Sequence, residues 1–188
     1  EVALTMKFYG LNPEEKFACD ADVYELFAKN LGVRGASLSA EWYALYDEYR
    51  IQYPAESAEL DAILSQTLPG GWDKSVEAFP ADAKGLASRA SSGKVLNQLA
   101  TGIPWLVGGS ADLGPSNNTE LKDPSYGAFG PGVAGRNVHF GVRENAMGAI
   151  TNGLTLAGLR GYCATFFVFS DFLRPMIRLA ALMQTPTL

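Results

Sequence analysis

The sequence predicts an α/β protein in which a helical N-terminal segment and a linker precede part of a parallel β-sheet domain. Two observations predict this class. Apolar residues recur at helical spacing in the first third of the chain, whereas beyond residue 85 short apolar strands alternate with helices. Such alternation is typical of parallel sheets, whose neighbouring strands are connected through helices. We therefore expect a helical segment over 1–54, a linker over 55–85 and part of a sheet domain over 86–188.

The N-terminal third contains three predicted helices. Two short helical patterns lie within residues 1–30, and "DADVYELFAKN" offers Asp20 or Asp22 as an N-cap and Gly32 as a stop. A longer helix is predicted from Ser39, over "SAEWYALYDEYRIQYP", until Pro54 ends it. Its apolar face follows the i, i+3, i+4, i+7 pattern through Trp42, Leu45, Tyr46 and Tyr49.

The linker region begins with one more predicted helix, "AESAELDAILSQ". The following "TLPGGWDKSVEAFPADAKG" is broken by glycine and proline, which interrupt any regular period. This interruption places the boundary between the two parts of the chain near residues 55–85.

The C-terminal part reads as helix 86–100, strand "WLVGGS", a long loop, strand "NVHFG", helix 143–157, strand "YCATFFVF" and helix 171–183. In parallel sheets the loops at the carboxyl ends of the strands form the ligand crevice. Those loops are "GGSADLGPSNN", "GVREN" and "FSDF". We expect a functional site at that edge of the sheet.

Composition excludes several classes of function. The 15 Lys and Arg residues against 20 Asp and Glu give a net charge of −5 without a basic run, which argues against nucleic acid as a partner. No stretch approaches about 18 apolar residues, which argues against a membrane span. Cys19, Cys163 and the single His139 are too few and too scattered for a zinc site, so we expect a reducing compartment and no transition metal held by the chain.

The two ends of the chain indicate a piece of a longer protein. The sequence begins without Met and without the pattern of a signal peptide, and it stops at "MQTPTL" within an apolar run. We therefore expect an excised fragment.

Two groups of residues at the predicted crevice are open to a functional and a structural interpretation. Glu144 lies in the first turn of a helix, where any acid gains about 0.3–1 kcal/mol from the helix dipole. The second group is aromatic and runs from a strand into the following turn; ordinary core packing, in a strand buried on both faces, is the alternative to a ligand contact. Its members are Phe166, Phe169 and Phe172.

Polar residues near the predicted crevice are also open to either a functional or a structural interpretation. Arg89, at a predicted helix start, suits either an anion or a surface ion pair. Asp112 and Ser116 lie in a Gly-rich loop whose composition is also common in ordinary turns. Each signal is weak alone, and it is their coincidence at one edge of one sheet that favours a binding site.

Read together, these clusters resemble the transketolase family over nearly the whole chain. The matching strings are "GGSADLGPSNN", "NVHFGVRENAMGAITNGL" and "CATFFVFSDFLRPMIRLAALM", with "NPEEKF", "DVYELF", "LPGGWD" and "ASRASSGKVLNQLA" upstream. By this resemblance, 1–54 is the C-terminal helical part of the diphosphate-binding domain, and 86–188 is the first part of the pyrimidine-binding domain.

The resemblance implies a role for each candidate residue. Glu144 matches the acid that hydrogen-bonds the aminopyrimidine ring of thiamine diphosphate, and sharing a proton there activates the cofactor without touching substrate. Phe166, Phe169 and Phe172 match the aromatic positions that enclose the pyrimidine, although Phe172 stands where tyrosine is often found. Asp112 matches an acid near the cofactor, and Arg89 and Ser116 match residues that bind the substrate phosphate. Asn145 stands where many relatives carry histidine, and we assign it no role.

The function implied is transfer of a two-carbon ketol unit from a ketose phosphate to an aldose phosphate, as in the pentose phosphate pathway and the Calvin cycle. The resemblance further implies a cytoplasmic or plastid-stromal homodimer with its active site at the subunit interface. Mg²⁺ or Ca²⁺ would be bound mainly by residues outside this chain, which alone would be inactive. Two alternatives stay open: dihydroxyacetone synthase or another thiamine diphosphate enzyme such as deoxyxylulose phosphate synthase, and a non-catalytic interaction module.

Overall fold

The N-terminal residues are helical, as predicted. In a computed structural model that describes residues 1–188, the first compact unit is Glu1–Pro54. It contains α1 (Val2–Phe8), α2 (Ala21–Phe27) and α3 (Val33–Gln52). A π-helical segment, Ala28–Gly32, connects α2 directly to α3.

The predicted boundary between α2 and α3 is wrong. Gly32 does not stop a helix, because its backbone is helical (φ −64°, ψ −53°) and α3 starts at the next residue instead of at Ser39. The aromatic residues of α3 form a ladder along the helix, with ring centroids 5.6 Å apart for Trp42 and Tyr46 and 6.1 Å apart for Tyr46 and Tyr49. Stacking between successive turns therefore accounts for the apolar spacing seen in the sequence.

The second compact unit is Ala55–Leu188, and its first helix is α4 (Pro54–Leu64). Residues 65–87 contain turns and no helix or strand, and Gly71 and Gly85 have positive φ angles of 77° and 69°. Leu68 and Trp72 nevertheless pack against the hydrophobic core of this unit. The linker assignment over 55–85 stays a prediction.

The α/β class with a parallel sheet is confirmed. After α5 (Ser88–Gly102), three strands form the sheet: β1 (Leu106–Ser110), β2 (Asn137–His139) and β3 (Arg160–Ala164). Their order is β2-β1-β3, and both pairings are parallel. The connecting helices are the short α6 (Gly114–Asn117) and α7 (Glu144–Leu156), and α8 (Ser170–Met183) follows β3.

Two buried clusters form the core around this sheet. The larger lies beside the amino end of β1 and consists of Ala100, Ile103, Trp105, Leu106, Leu121 and Tyr162. The smaller lies beside its carboxyl end, where Ala111, Phe140 and Met147 pack together. The start of α7 is thus fixed through Met147, which is completely buried.

Arg136 is the partly buried residue immediately before β2, and it fixes the position at which that strand begins. Its guanidinium donates to three main-chain carbonyls: Leu106 at 2.8 Å, Ile103 at 2.9 Å and Ala100 at 3.0 Å. The guanidinium carbon also lies 4.1 Å from the ring centroid of Tyr126. Burial lowers the pKa of Arg136, but guanidinium remains charged at neutral pH.

The strand predicted over 162–169 is wrong beyond Ala164. The chain leaves the sheet there, and Phe167–Phe169 form one turn of 3₁₀ helix. The physical reason is that β1, the neighbour of β3, ends at Ser110, which pairs with Ala164. Without a strand beside it, the following backbone turns, and the Phe169 amide donates to the Phe166 carbonyl at 2.8 Å.

No helix of the structure combines the length and the apolar character needed to cross a membrane.

The glycine pair in the central strand yields a stability prediction. A Cβ added at Gly109 would collide with the carbonyl group of Val138 on β2, so we expect Gly109→Ala to lower the free energy of unfolding by about 1–3 kcal/mol. The matched control is Gly153→Ala in α7, where the added methyl group meets nothing, and which should raise stability by about 0.5–1 kcal/mol. Urea unfolding measures both, and equal stability of Gly109→Ala and wild type would contradict the tight strand pairing.

Candidate functional site

The carboxyl ends of the three strands lie level with one another. Ser110, the last residue of β1, pairs with His139 at the end of β2 and with Ala164 at the end of β3. The three loops singled out in the sequence therefore leave the sheet at the same edge. The structure brings together segments that are far apart in the chain.

Glu144 is the first residue of α7 and only 7% exposed. The chain reaches it from β2 through the turn at Gly141, whose φ of +70° favours glycine. Its carboxylate oxygen Oε1 accepts a hydrogen bond of 3.1 Å from the Thr165 hydroxyl. This acid is therefore buried in the second unit, unlike an ordinary helix-start acid that faces water.

Thr165 immediately follows β3 and is partly buried. It joins the start of α7 to the end of the sheet's edge strand through the bond to Glu144. Sequence reasoning missed this residue. The only available signal was its position, one residue before the aromatic cluster and directly after a strand.

The aromatic residues of the site are not core residues of this chain. Phe166 and Phe169 are each 37% exposed, and Phe172 is 61% exposed. The expectation of a strand buried on both faces is wrong, because Phe167 and Val168 are 93% and 70% exposed. Several large apolar side chains exposed in one short segment are typical of a binding site or an interface.

Arg89 lies in the first turn of α5, and its side chain lines a cavity of about 500 Å³. We call this the Arg89 cavity; its wall also includes Ser92, Asn117, Thr119, Thr165 and Phe166. The structure thus brings Arg89 and Phe166 to one cavity. It also places there Thr165, the hydrogen-bond partner of Glu144.

Asn117, which also lines this cavity, has one buried side-chain atom without a hydrogen-bond partner. Its Oδ1 accepts a hydrogen bond of 2.8 Å from the Thr119 hydroxyl, whereas its buried Nδ2 has no hydrogen-bond partner. Buried polar atoms are rarely left unpaired in folded proteins. Because this nitrogen has almost no exposed surface, it is a buried polar atom behind the cavity and does not itself face a ligand.

Asp112 lines a neighbouring cavity of about 250 Å³, together with His139 and with Thr119, which belongs to both cavities. Asp112 has a φ of +63°, a conformation that aspartate tolerates better than most residues. His139, expected to be a strand residue, is the last residue of β2 and is exposed. Ser116 is exposed on α6 and lines neither cavity.

Asn145 contacts the segment that carries the third phenylalanine. Its Nδ2 donates to the Phe172 carbonyl at 3.4 Å. Two turns further along α7, Asn152 donates to the carbonyl of Met176, one turn further along α8, at 2.9 Å. The two amides attach α8 to α7. The position of Phe172 is therefore coupled to the helix that begins with Glu144.

Cys163, on β3, is a free and partly buried thiol. Burial raises the pKa of the Cys163 thiol, which disfavours the reactive thiolate at neutral pH. Within residues 1–188, no group of three or more His, Cys, Asp or Glu side chains is arranged to hold a metal ion. The chemistry that this edge of the sheet can offer is proton sharing at Glu144, aromatic contact and anion binding at Arg89.

Two protein-family models match this chain. Residues 84–188 match the pyrimidine binding domain of transketolase, and residues 1–69 match its thiamine diphosphate binding domain. The second match ends within the segment that we expect to be a linker.

Curated relatives named transketolase are similar over most of the chain. The Bacillus subtilis protein is 47% identical over 188 residues, which cover 99% of this chain and 28% of that protein. A chloroplastic transketolase from Craterostigma plantagineum is 46% identical over 175 residues, covering 92% of this chain and 33% of the relative. The chain therefore spans about a third or less of these relatives.

Solved structures have the same fold. A transketolase from Pichia stipitis in complex with sedoheptulose 7-phosphate superposes with a TM-score of 0.86 at 35% identity, over 99% of this chain and 28% of that one. The transketolase from Leishmania mexicana gives a TM-score of 0.83 at 34% identity, over 98% of this chain and 27% of that one.

Proposed function

The chain belongs to the transketolase family, and we propose that it is part of a thiamine diphosphate-dependent transketolase. The reaction is transfer of a two-carbon ketol unit from a ketose phosphate to an aldose phosphate. The observation that carries the proposal is the buried Glu144 carboxylate at the edge of the sheet, beside exposed phenylalanine rings and close to a cavity that contains Arg89.

The residues present fit the pyrimidine half of the cofactor. Within residues 1–188, Thr165 is the one hydrogen-bond donor to the Glu144 carboxylate, and it engages Oε1, so Oε2 is available to a ring nitrogen. Phe166, Phe169 and Phe172 offer apolar faces, and contact between aromatic rings contributes about 0.5–1.5 kcal/mol per pair. Asp112 would lie near the cofactor from the neighbouring cavity.

Thiamine diphosphate, when bound, supplies a carbon nucleophile and then an electron sink for the two-carbon unit. The contribution of this chain is to hold a proton between the Glu144 carboxylate and the pyrimidine ring nitrogen, and to exclude water from that contact with the three phenylalanines. Mg²⁺ or Ca²⁺ would be held mainly by residues outside this chain.

Arg89 and Ser116 would bind the substrate phosphate. A planar guanidinium suits a phosphate dianion because it donates two parallel hydrogen bonds. The solved Pichia stipitis relative was crystallised with a sugar phosphate, which supports substrates of that class. Arg89 already lines a cavity, whereas Ser116 would have to reach the phosphate from the surface of α6.

The proposed assembly is a homodimer with the active site at the subunit interface, located in the cytoplasm or the plastid stroma. We assign residues 1–54 to the end of the diphosphate-binding domain, 55–85 to a linker and 86–188 to the first part of the pyrimidine-binding domain. The exposed phenylalanine rings support an interface at this edge, since large apolar surfaces favour burial.

The substrate class is tested with xylulose phosphate as donor and either ribose phosphate or formaldehyde as acceptor, in the longer protein that contains this chain. We expect efficient transfer to ribose phosphate, because both sugars carry the phosphate that Arg89 would bind. Exclusive use of formaldehyde would favour a dihydroxyacetone synthase. Absence of any turnover with both acceptors would favour the non-catalytic module.

Glu144→Gln removes the shared proton and keeps the shape of the side chain. The amide oxygen can still accept from Thr165, so we expect thermal unfolding close to wild type and turnover lowered by about 10²-fold or more. Glu59→Gln, an exposed position on α4, is the matched control and should leave turnover unchanged. Normal turnover of Glu144→Gln would rule out the proposed role.

Arg89→Ala removes the cation of the Arg89 cavity. We expect the KM for xylulose phosphate to rise about 10- to 100-fold, since a hydrogen bond to a charged group contributes about 1.5–3 kcal/mol. The KM for unphosphorylated xylulose should change little, and Arg34→Ala on α3 should affect neither donor. An equal increase in KM for both donors would contradict phosphate recognition by Arg89.

A further inference from the structure

The hydroxyl of Thr165 holds one specific oxygen of the buried acid. The bond to Glu144 Oε1 measures 3.1 Å, and the carboxylate accepts no other hydrogen bond within residues 1–188. Glu144 is 7% exposed, so water has little access to replace this donor. The orientation of the carboxylate plane therefore depends on one side chain from a different element of the fold.

The sheet, and not helix α7, determines where that hydroxyl lies. The residue before it, Ala164, pairs with Ser110 and accepts a hydrogen bond of 3.2 Å from the Ala111 amide. Threonine is also stiff about its first side-chain torsion, because two heavy atoms branch at Cβ. Thr165 therefore presents its hydroxyl from a fixed backbone position at the strand end.

We propose that Thr165 is the positioning residue for Glu144. By engaging Oε1, it leaves Oε2 as the oxygen that meets the pyrimidine nitrogen of the cofactor. This inference rests on the proposed function, because it takes Glu144 to be the acid that shares a proton with that ring. Thr165 itself would touch neither the reacting atoms nor the pyrimidine.

Thr165 also connects two parts of the site. It lines the Arg89 cavity beside Phe166 while its hydroxyl bonds to Glu144. One residue thus lies between the acid that would activate the cofactor and the cavity that would bind the substrate phosphate. A change in its shape would disturb both parts, whereas loss of the hydroxyl alone would disturb only the acid.

Thr165→Val in the longer holoprotein separates these effects, because valine keeps the branched shape and removes the donor. The informative measurement is the rate of deuterium exchange at the thiazolium carbon of bound thiamine diphosphate, together with the Kd of the cofactor. We expect exchange to slow about tenfold or more, as expected for loss of a hydrogen bond to a charged group, with the Kd changed less than about threefold. The KM for sugar phosphate should stay near wild type.

Thr165→Ser is the rescue variant, since it restores the hydroxyl without the methyl group, and its exchange rate should return to within about threefold of wild type. Thr101→Val on α5 is the matched control for the substitution itself and should have no effect on exchange. If Thr165→Val proves unstable, Thr165→Ala removes the same donor; because alanine also lacks the methyl group, its exchange rate is then compared with that of Thr165→Ser, which differs from it only in the hydroxyl.

Three outcomes distinguish the role of Thr165 from the role of Glu144. Slow exchange in Thr165→Val with recovery in Thr165→Ser supports the positioning role. Exchange at the wild-type rate in Thr165→Val, while Glu144→Gln abolishes it, would overturn the role of Thr165 and leave the proposed function intact. Exchange at the wild-type rate in Glu144→Gln would instead overturn the role assigned to the acid, and with it this inference.

Discussion

The guanidinium of Arg136 holds the sheet unit together at the point where its strands begin. Its three hydrogen bonds join the end of α5, the turn after it and the first residue of β1 to the residue that precedes β2. The carbonyl of Arg136 also accepts from the Gly108 amide at 3.1 Å, so the same residue sets the register between β1 and β2. Because the strands are parallel, a register fixed at their amino ends also fixes which residues meet at their carboxyl ends.

The candidate site forms where this register aligns the carboxyl ends of the three strands. Ser110, His139 and Ala164 end their strands side by side, and the next residues along the chain build the site. Burial of a carboxylate is costly unless a donor compensates it, and at Glu144 the one donor within this chain is the Thr165 hydroxyl. The buried Glu144 carboxylate can bind a polar group, and the exposed phenylalanine rings can pack against an apolar surface of the same ligand. The pyrimidine of thiamine diphosphate offers both.

Residue patterns alone predicted the three parallel strands, the loops that meet at one edge and every helix except the short α6, which lies in a stretch predicted to be a loop. These features depend on local periodicity and on chain connectivity. Glu144 was found at its helix start for the same reason. The turn at Phe167–Phe169 was not predicted, since it depends on where the neighbouring strand ends and not on the apolar residues themselves. Continuation of the helix through Gly32 was missed because glycine permits a stop without requiring one. Thr165 gains its significance from Glu144, a residue distant in sequence, and no local pattern records that contact.

The proposed function depends on contact between Glu144, held by Thr165, and the pyrimidine ring of the cofactor. A crystal structure of the longer protein with thiamine diphosphate and Mg²⁺ tests it directly. We expect Oε2 of Glu144 to lie about 2.6–3.2 Å from the pyrimidine ring nitrogen while Oε1 keeps its bond to the Thr165 hydroxyl. A pyrimidine bound beyond hydrogen-bond reach of Glu144, or a carboxylate turned away from Thr165 toward another donor, would contradict it.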